Sequence, residues 1–371
     1  MKFRALDSFR GVAALMVAYF HTVFIFADRP AILANAAMFV DFFFILSGFV
    51  MTHAYRDRIA AGLAFGEYFA LRLGRLLPLH VVVMLAWVPF VYSCQNCVAL
   101  SGAFIATHTA ETFATNLFLL NSFGLLPFLS WNYPSWSIGA ELIAYIVFFV
   151  VVLSLKRRLS PIVALALAAL SYLWLAGATE ETLRRTYDLG ALRCLGGFFL
   201  GVAIYGFHER INENWRPAAL AEAATLFVVV LALGRPIETI LHELAIFAAF
   251  GLVVLVFARS TGPVARSLAT PMPALLGRIS YSVYMLHALV IQMSFVIGIG
   301  LWDLSVLVVD PTVGQTRAFL VTAYAPILNV LALLLVVALS VLSYWFIEAP
   351  CRRAVRTMVD NQRRNRQHDH G

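Results

Sequence analysis

The stretch Leu6–His21, LDSFRGVAALMVAYFH, sets a polar head against an apolar helix that ends on an imidazole. Arg10 and His21 are eleven residues apart, and at about 100° per residue eleven steps return to nearly the same helix face. At ~1.5 Å rise per residue the two lie roughly 16 Å apart along the axis. If the helix spans a bilayer, a cation stands at one mouth and an ionisable imidazole near mid-depth. Ionisable groups inside a membrane are costly, so they point to function by default.

The rest of the chain supplies the bilayer. Of 371 residues 61% are hydrophobic and only 13% charged, with a mean hydropathy of +0.84. Soluble domains carry about 25% charged residues, so this is the composition of a polytopic membrane protein. About ten apolar spans, each near the length of about 20 residues that a hydrocarbon core demands, centre on residues 11–27, 37–55, 76–93, 136–155, 161–177, 190–207, 217–233, 238–258, 279–300 and 322–347. The first lacks a small-residue cleavage site and is expected to stay as a helix rather than leave as a signal peptide. No linker or soluble insertion separates the spans. Residues 1–356 therefore read as one all-α transmembrane domain, and residues 357–371 as a polar, disordered tail. No internal repeat is visible, which weighs against a transporter built from inverted repeats.

The net charge of +7 comes almost wholly from arginine, since Lys2 and Lys156 are the only lysines. On such a chain the charge reads as topology rather than nucleic-acid binding. Basic residues cluster before the first span (Lys2, Arg4, Arg10), after the second (Arg56, Arg58, Arg72, Arg75) and after the fourth (Lys156, Arg157, Arg158). They recur after the sixth, eighth and tenth spans, ending with Arg352, Arg353 and Arg356. The positive-inside rule then puts both termini in the cytoplasm of a bacterial inner membrane, with Arg184, Arg185 and Arg235 as outer exceptions. The longest connection, 94–135, falls outside; it is rich in Thr, Asn and aromatics, and Phe113–Leu120 within it reads as an interfacial or re-entrant helix. Cys94 and Cys97 form a lone CxxC, either a local disulfide or two thiols, and without a second pair no zinc is expected.

Several polar residues sit where lipid should be. Asp41, at the outer end of the second span, lies close in depth to His21 and either orients its imidazole or caps the helix at the interface. Ser47-Gly48 reads as a close-packing site rather than chemistry. Arg72 and Arg75, three apart, share a helix face; their forks suit phosphate, although snorkelling arginines would look the same. Trp136 fits a sugar-stacking platform or an aromatic belt, and Ser137 has no GxSxG context for a nucleophile. Glu141 could bind a hydroxyl-rich acceptor or tune His21. His287 reads as a packing histidine or a site residue; Arg352 and Arg353 are inner-face anchors unless Glu348 pairs with Arg72 or Arg75.

Taken in order, Leu6–Ala13, His21, Phe39–Phe49, Arg72-Leu73-Gly74-Arg75, Trp136-Ser137 with Glu141, Ile279-Ser280-Tyr281 with Tyr284 and His287, and Phe346–Arg353 resemble the acyltransferase-3 family of integral membrane O-acyltransferases. That family decorates surface polysaccharides, lipopolysaccharide O-antigen, Nod factors and some antibiotics. The likeness covers residues 5–353. It implies a catalytic His21 with functional roles for Asp41 and Glu141, and acyl-CoA held by Arg10, Arg72 and Arg75. It also implies substrate contacts from Trp136, Ser137, Tyr281, His287 and Glu348. Gly139-Ala140 stands where many members carry polar or acidic residues, which leaves the acceptor open. The soluble hydrolase-like domain that some members append is not seen, so a second transfer step would fall to another protein.

The expectation is transfer of an acyl group, acetyl foremost, from cytoplasmic acyl-CoA to a hydroxyl of an outward-facing glycan or glycolipid. His21 would be the general base, with no metal and no nucleic-acid partner. The alternatives are a glycan or lipid transporter that uses the same stripe as a proton relay, and a glycosyltransferase using a lipid-linked sugar, for which the outer loops are not notably acidic.

Overall fold

A chain in hydrocarbon must satisfy its own backbone N–H and C=O groups, so each apolar run is helical. The computed structural model describes residues 3–22, 24–25, 30–94, 107–179, 182–212, 214–302, 305–309, 317–321 and 324–368. Its helices are α1 (Arg4–Phe20), α2 (Phe39–Ala60), α3 (Phe65–Cys94), α4 (Ala110–Leu117), α5 (Trp136–Leu155) and α6 (Pro161–Thr179). They continue as α7 (Gly190–Arg210), α8 (Ala219–Leu233), α9 (Ile240–Phe257), α10 (Pro271–Trp302), α11 (Ala325–Ser343) and α12 (Ala349–His368). Eight helical runs are long and apolar enough to cross a membrane. With α1 and the shorter apolar α8, each of the expected spans has its helix.

Three departures from the sequence reading have physical causes. First, α1 starts at Arg4, so Arg10 lies within the helix and His21 is its C-cap. The polar start is accommodated by protein: Ser8 Oγ donates to the Leu268 carbonyl at 2.6 Å. Second, residues 357–368 are not a disordered tail but continue α12. Val359 is buried there and Arg363 pairs with Glu67 on α3 at 2.5 Å. Third, a small sheet accompanies the helices: β1 (Phe24–Ile25) pairs in parallel with β3 (Arg317–Val321), which pairs antiparallel with β2 (Ser305–Val309). Cys97, the second cysteine of the CxxC, lies outside the described residues.

Within the 94–135 connection, α4 is opened by a capping box between Thr109 and Thr112. Its asparagines serve packing: Asn121 Nδ2 donates to Asn116 Oδ1 and to Ser135 Oγ, each at 3.0 Å, which seats the start of α5.

The bundle is held at close quarters by glycine. On α2 and α7, Gly48 faces the Phe198 carbonyl and Gly201 faces the Ile45 carbonyl, where no Cβ would fit. Gly11 and Gly277 do the same for α1 and α10. Two arginines of the connection before α7 are neutralised locally. Arg184 meets the buried Glu243 at 2.8 Å, and Arg185 pairs with Asp188. Burial alone would raise the Asp188 carboxyl, but hydrogen bonds from Arg185 and the Leu189 N–H outweigh it and hold it below its usual range.

Candidate active site

The Arg10–His21 stripe on α1 meets a matching stripe on α10. Arg10 donates from Nε to Ser280 Oγ at 2.9 Å and from Nη2 to the Gly277 carbonyl at 3.0 Å. Eleven residues further on, His21 Nδ1 lies 3.2 Å from Nε2 of His287. Positions 277, 280, 284 and 287 recur every three or four residues, so one face of α10 carries all these contacts.

The histidine pair fixes its own protonation pattern. His287 is fully buried and its Nδ1 faces the Val283 carbonyl at 3.3 Å, so Nδ1 carries the proton and Nε2 accepts. His21 Nδ1 then donates, shared between His287 Nε2 and the Val17 carbonyl at 2.9 Å. The lone pair of His21 is left on Nε2. Tyr133 packs its ring 5.0 Å from that imidazole.

Asp41 is not the group bonded to this pair. Its carboxylate is wholly buried and takes both Nε and Nη2 of Arg193, at 2.9 and 2.6 Å. Arg193 was not among the sequence candidates, although an arginine inside an apolar run was signal enough. Its guanidinium also lies 5.5 Å from the Trp136 ring, so the ion pair braces the start of α5. Trp136 is thereby committed inside the protein, only 6% exposed, and is not a belt residue.

Beside Arg10 and the Ser280–Tyr284 face of α10 lies a cavity of about 100 Å³; His21 and His287 are not on its wall. Arg10, Arg72 and Arg75 line it, as do Ser137, Glu141, Tyr281 and Tyr284. Glu141 Oε1 accepts from Ser47 Oγ and from Tyr145 OH, both at 2.5 Å. Ser47 is therefore a cavity residue as well as a neighbour of the packing Gly48, and Tyr145, one turn from Glu141, is an addition that the sequence reading passed over. Ser137 Oγ and Tyr284 OH are 2.7 Å apart, and the Tyr284 ring centroid stands 5.6 Å from that of His287. Tyr281 spends its hydroxyl on the Leu76 carbonyl at 2.5 Å and offers the cavity its ring.

The cavity shares Arg72 and Arg75 with a larger pocket of about 760 Å³ at the arginine-rich end. Arg72 donates to Tyr55 OH at 2.6 Å and stacks 4.8 Å from that ring, while its buried Nε has no partner among the described residues. Glu348 pairs with neither Arg72 nor Arg75. It accepts from Ser282 at 3.1 Å and Arg352 at 3.4 Å, because the turn at Tyr344–Glu348 directs it at α10. Among the described residues no three His, Cys, Asp or Glu side chains gather as a metal would need.

Comparison with known proteins identifies the family. A stretch of 84 residues is 39% identical to "Protein 2 in picA locus" of Rhizobium radiobacter, covering 22% of this chain and 42% of that protein. The chain thus spans under half the length of that relative. No solved structure gives a significant match. The acyltransferase-3 family model, an acyltransferase domain, matches residues 3–348, a range that contains the two stripes and the residues lining the cavity. With its long apolar helices, this chain belongs to the acyltransferase-3 family of membrane acyltransferases.

Proposed function

We propose that the protein transfers an acyl group, acetyl foremost, from cytoplasmic acyl-CoA to a hydroxyl of an outward-facing glycan or glycolipid. The observation that carries this reading is the continuity of the arginine-lined pocket with the cavity through Arg72 and Arg75, with the His21–His287 pair beyond Tyr284 at the far end. Arg10, Arg72 and Arg75 neutralise donor phosphates, and the thioester reaches along the cavity toward Ser137 and Tyr284.

At the far end His21 acts as general base. Its Nε2 takes the proton of the acceptor hydroxyl while that oxygen attacks the thioester carbonyl. The C–S bond then breaks, and the thiolate leaves with the proton returned by the imidazolium. His287 holds the Nδ1–H of His21, as a carboxylate does in other dyads, and so fixes the tautomer whose basic nitrogen is Nε2. Glu141, fixed by Ser47 and Tyr145, offers a carboxylate for an acceptor hydroxyl or for the developing imidazolium.

General-base assistance is worth ~10²–10⁴-fold. His21→Ala in the purified chain should lose acyl transfer by that margin while expression is unchanged, read as CoA release from acetyl-CoA in the presence of surface glycan. Near-normal turnover would remove His21 from this role. Mass spectrometry of surface glycans with and without the gene would name the acyl group by its mass increment.

A further inference from the structure

The large pocket has two walls, and only one lies within the family. Arg58, Arg72 and Arg75 form the first. The second is α12, which starts just after the last matched residue, 348, and brings Arg352, Arg353, Arg356 and Arg363 to the same space. Positions 352, 356 and 363 follow the four- and seven-residue spacing of one helix face. Against these cations the pocket sets one carboxylate, Asp360.

The way α12 is seated matters. Val355 packs directly on Gly74, the residue between the paired arginines Arg72 and Arg75; a Cβ at position 74 would come within 2.6 Å of Val355 Cγ2. Val359 is 1% exposed. Arg352 and Arg363 are spent on latching the helix, to Glu348 at 3.4 Å and Glu67 at 2.5 Å. Arg353 has no carboxylate partner among the described residues, and Arg356 is 79% exposed with Asp360 no nearer than 3.9 Å. The helix is therefore clamped at both ends and in the middle, with two cations left to face the pocket.

We propose that α12 is the second wall of the donor site, where Arg353 and Arg356 bind the clustered phosphates of a nucleotide-bearing donor opposite Arg72 and Arg75. The inference rests on the acyl-CoA reading above. Guanidinium forks match phosphate oxygens two at a time, and a pocket of about 760 Å³ is within the ~300–1,000 Å³ usual for small-molecule sites. The same chemistry would also hold an anionic lipid headgroup, so the test separates the two.

The full chain in zwitterionic nanodiscs is titrated with CoA and with 4′-phosphopantetheine, which lacks the nucleotide. Arg353→Ala with Arg356→Ala should weaken CoA about tenfold or more and leave phosphopantetheine unchanged. Gly74→Val, which displaces α12 and spares every arginine, should reproduce the loss. CoA affinity unchanged in the double variant, with binding still abolished by Arg72→Ala and Arg75→Ala, would overturn the second wall and leave the donor reading standing. Wild-type protein that binds no CoA would overturn both. If the double variant keeps its CoA affinity and instead loses phosphatidylglycerol retained in native mass spectrometry, the site is a headgroup site and the donor wall is wrong.

Discussion

The same side chain does two different jobs at the two ends of this bundle. At the loop end Arg184, Arg185 and Arg193 are each closed onto a carboxylate, from Glu243, Asp188 and Asp41. At the other end Arg72 and Arg75 have no carboxylate partner among the described residues and border open space. A guanidinium whose charge is already answered braces structure, and one whose charge is not is poised for an anionic ligand. Net charge reports both kinds alike. Only their partners tell them apart.

Substitution should split the two classes. The largest effect is expected at the buried pair: Asp41→Ala strands Arg193, and breaking such a pair costs about 3–5 kcal/mol. Thermal melting in detergent should drop accordingly, and Asp41→Leu with Arg193→Leu should recover most of the loss. If Asp41→Ala melts like the parent but loses acyl transfer, Asp41 belongs with the ligand-facing groups and the comparison fails.

Next in size is the converse experiment. Arg72→Ala with Arg75→Ala removes two charge-assisted contacts worth ~1.5–3 kcal/mol each, so CoA affinity should fall about 100-fold or more. The melting temperature should hardly move. A matched loss of stability would mean that these arginines are braces too.

The smallest effect concerns the partly exposed Arg185–Asp188 pair at the loop end. Since the folded Asp188 carboxyl is held below its usual range, its contribution is present above an unfolded value of about 4 and is lost as the pH falls through the folded one. At this exposure it is worth about 1 kcal/mol or less. Asp188→Asn should therefore lower stability slightly at neutral pH and converge with the parent in acid. A difference that grows on acidification would reverse the sign and exclude the pair as its source.

How much of this was legible depended on sequence distance. The pair Ser47–Gly48 could be read for close packing because small residues pack helices, yet Ser47 reaches Glu141, ninety-four positions away, and no local rule gives that bond. The helical order of residues 357–368 is hidden from the sequence for a related reason. The composition there is polar, and Val355, which seats on Gly74, and the buried Val359 acquire meaning only once α12 packs against the bundle.

Hydropathy by itself determined the helical spans, since a bilayer imposes length and apolarity on each helix separately. Periodicity by itself placed Arg10 and His21 on one face of α1. The tertiary structure alone decided their partners: Ser280 and His287 on α10, some 270 residues away, and Arg193 rather than His21 for Asp41. Hydropathy specifies the solvent of a helix, whereas its rotation and neighbours are set by how small residues let particular faces approach. Those contacts are formed by the folded bundle and are written in no single segment.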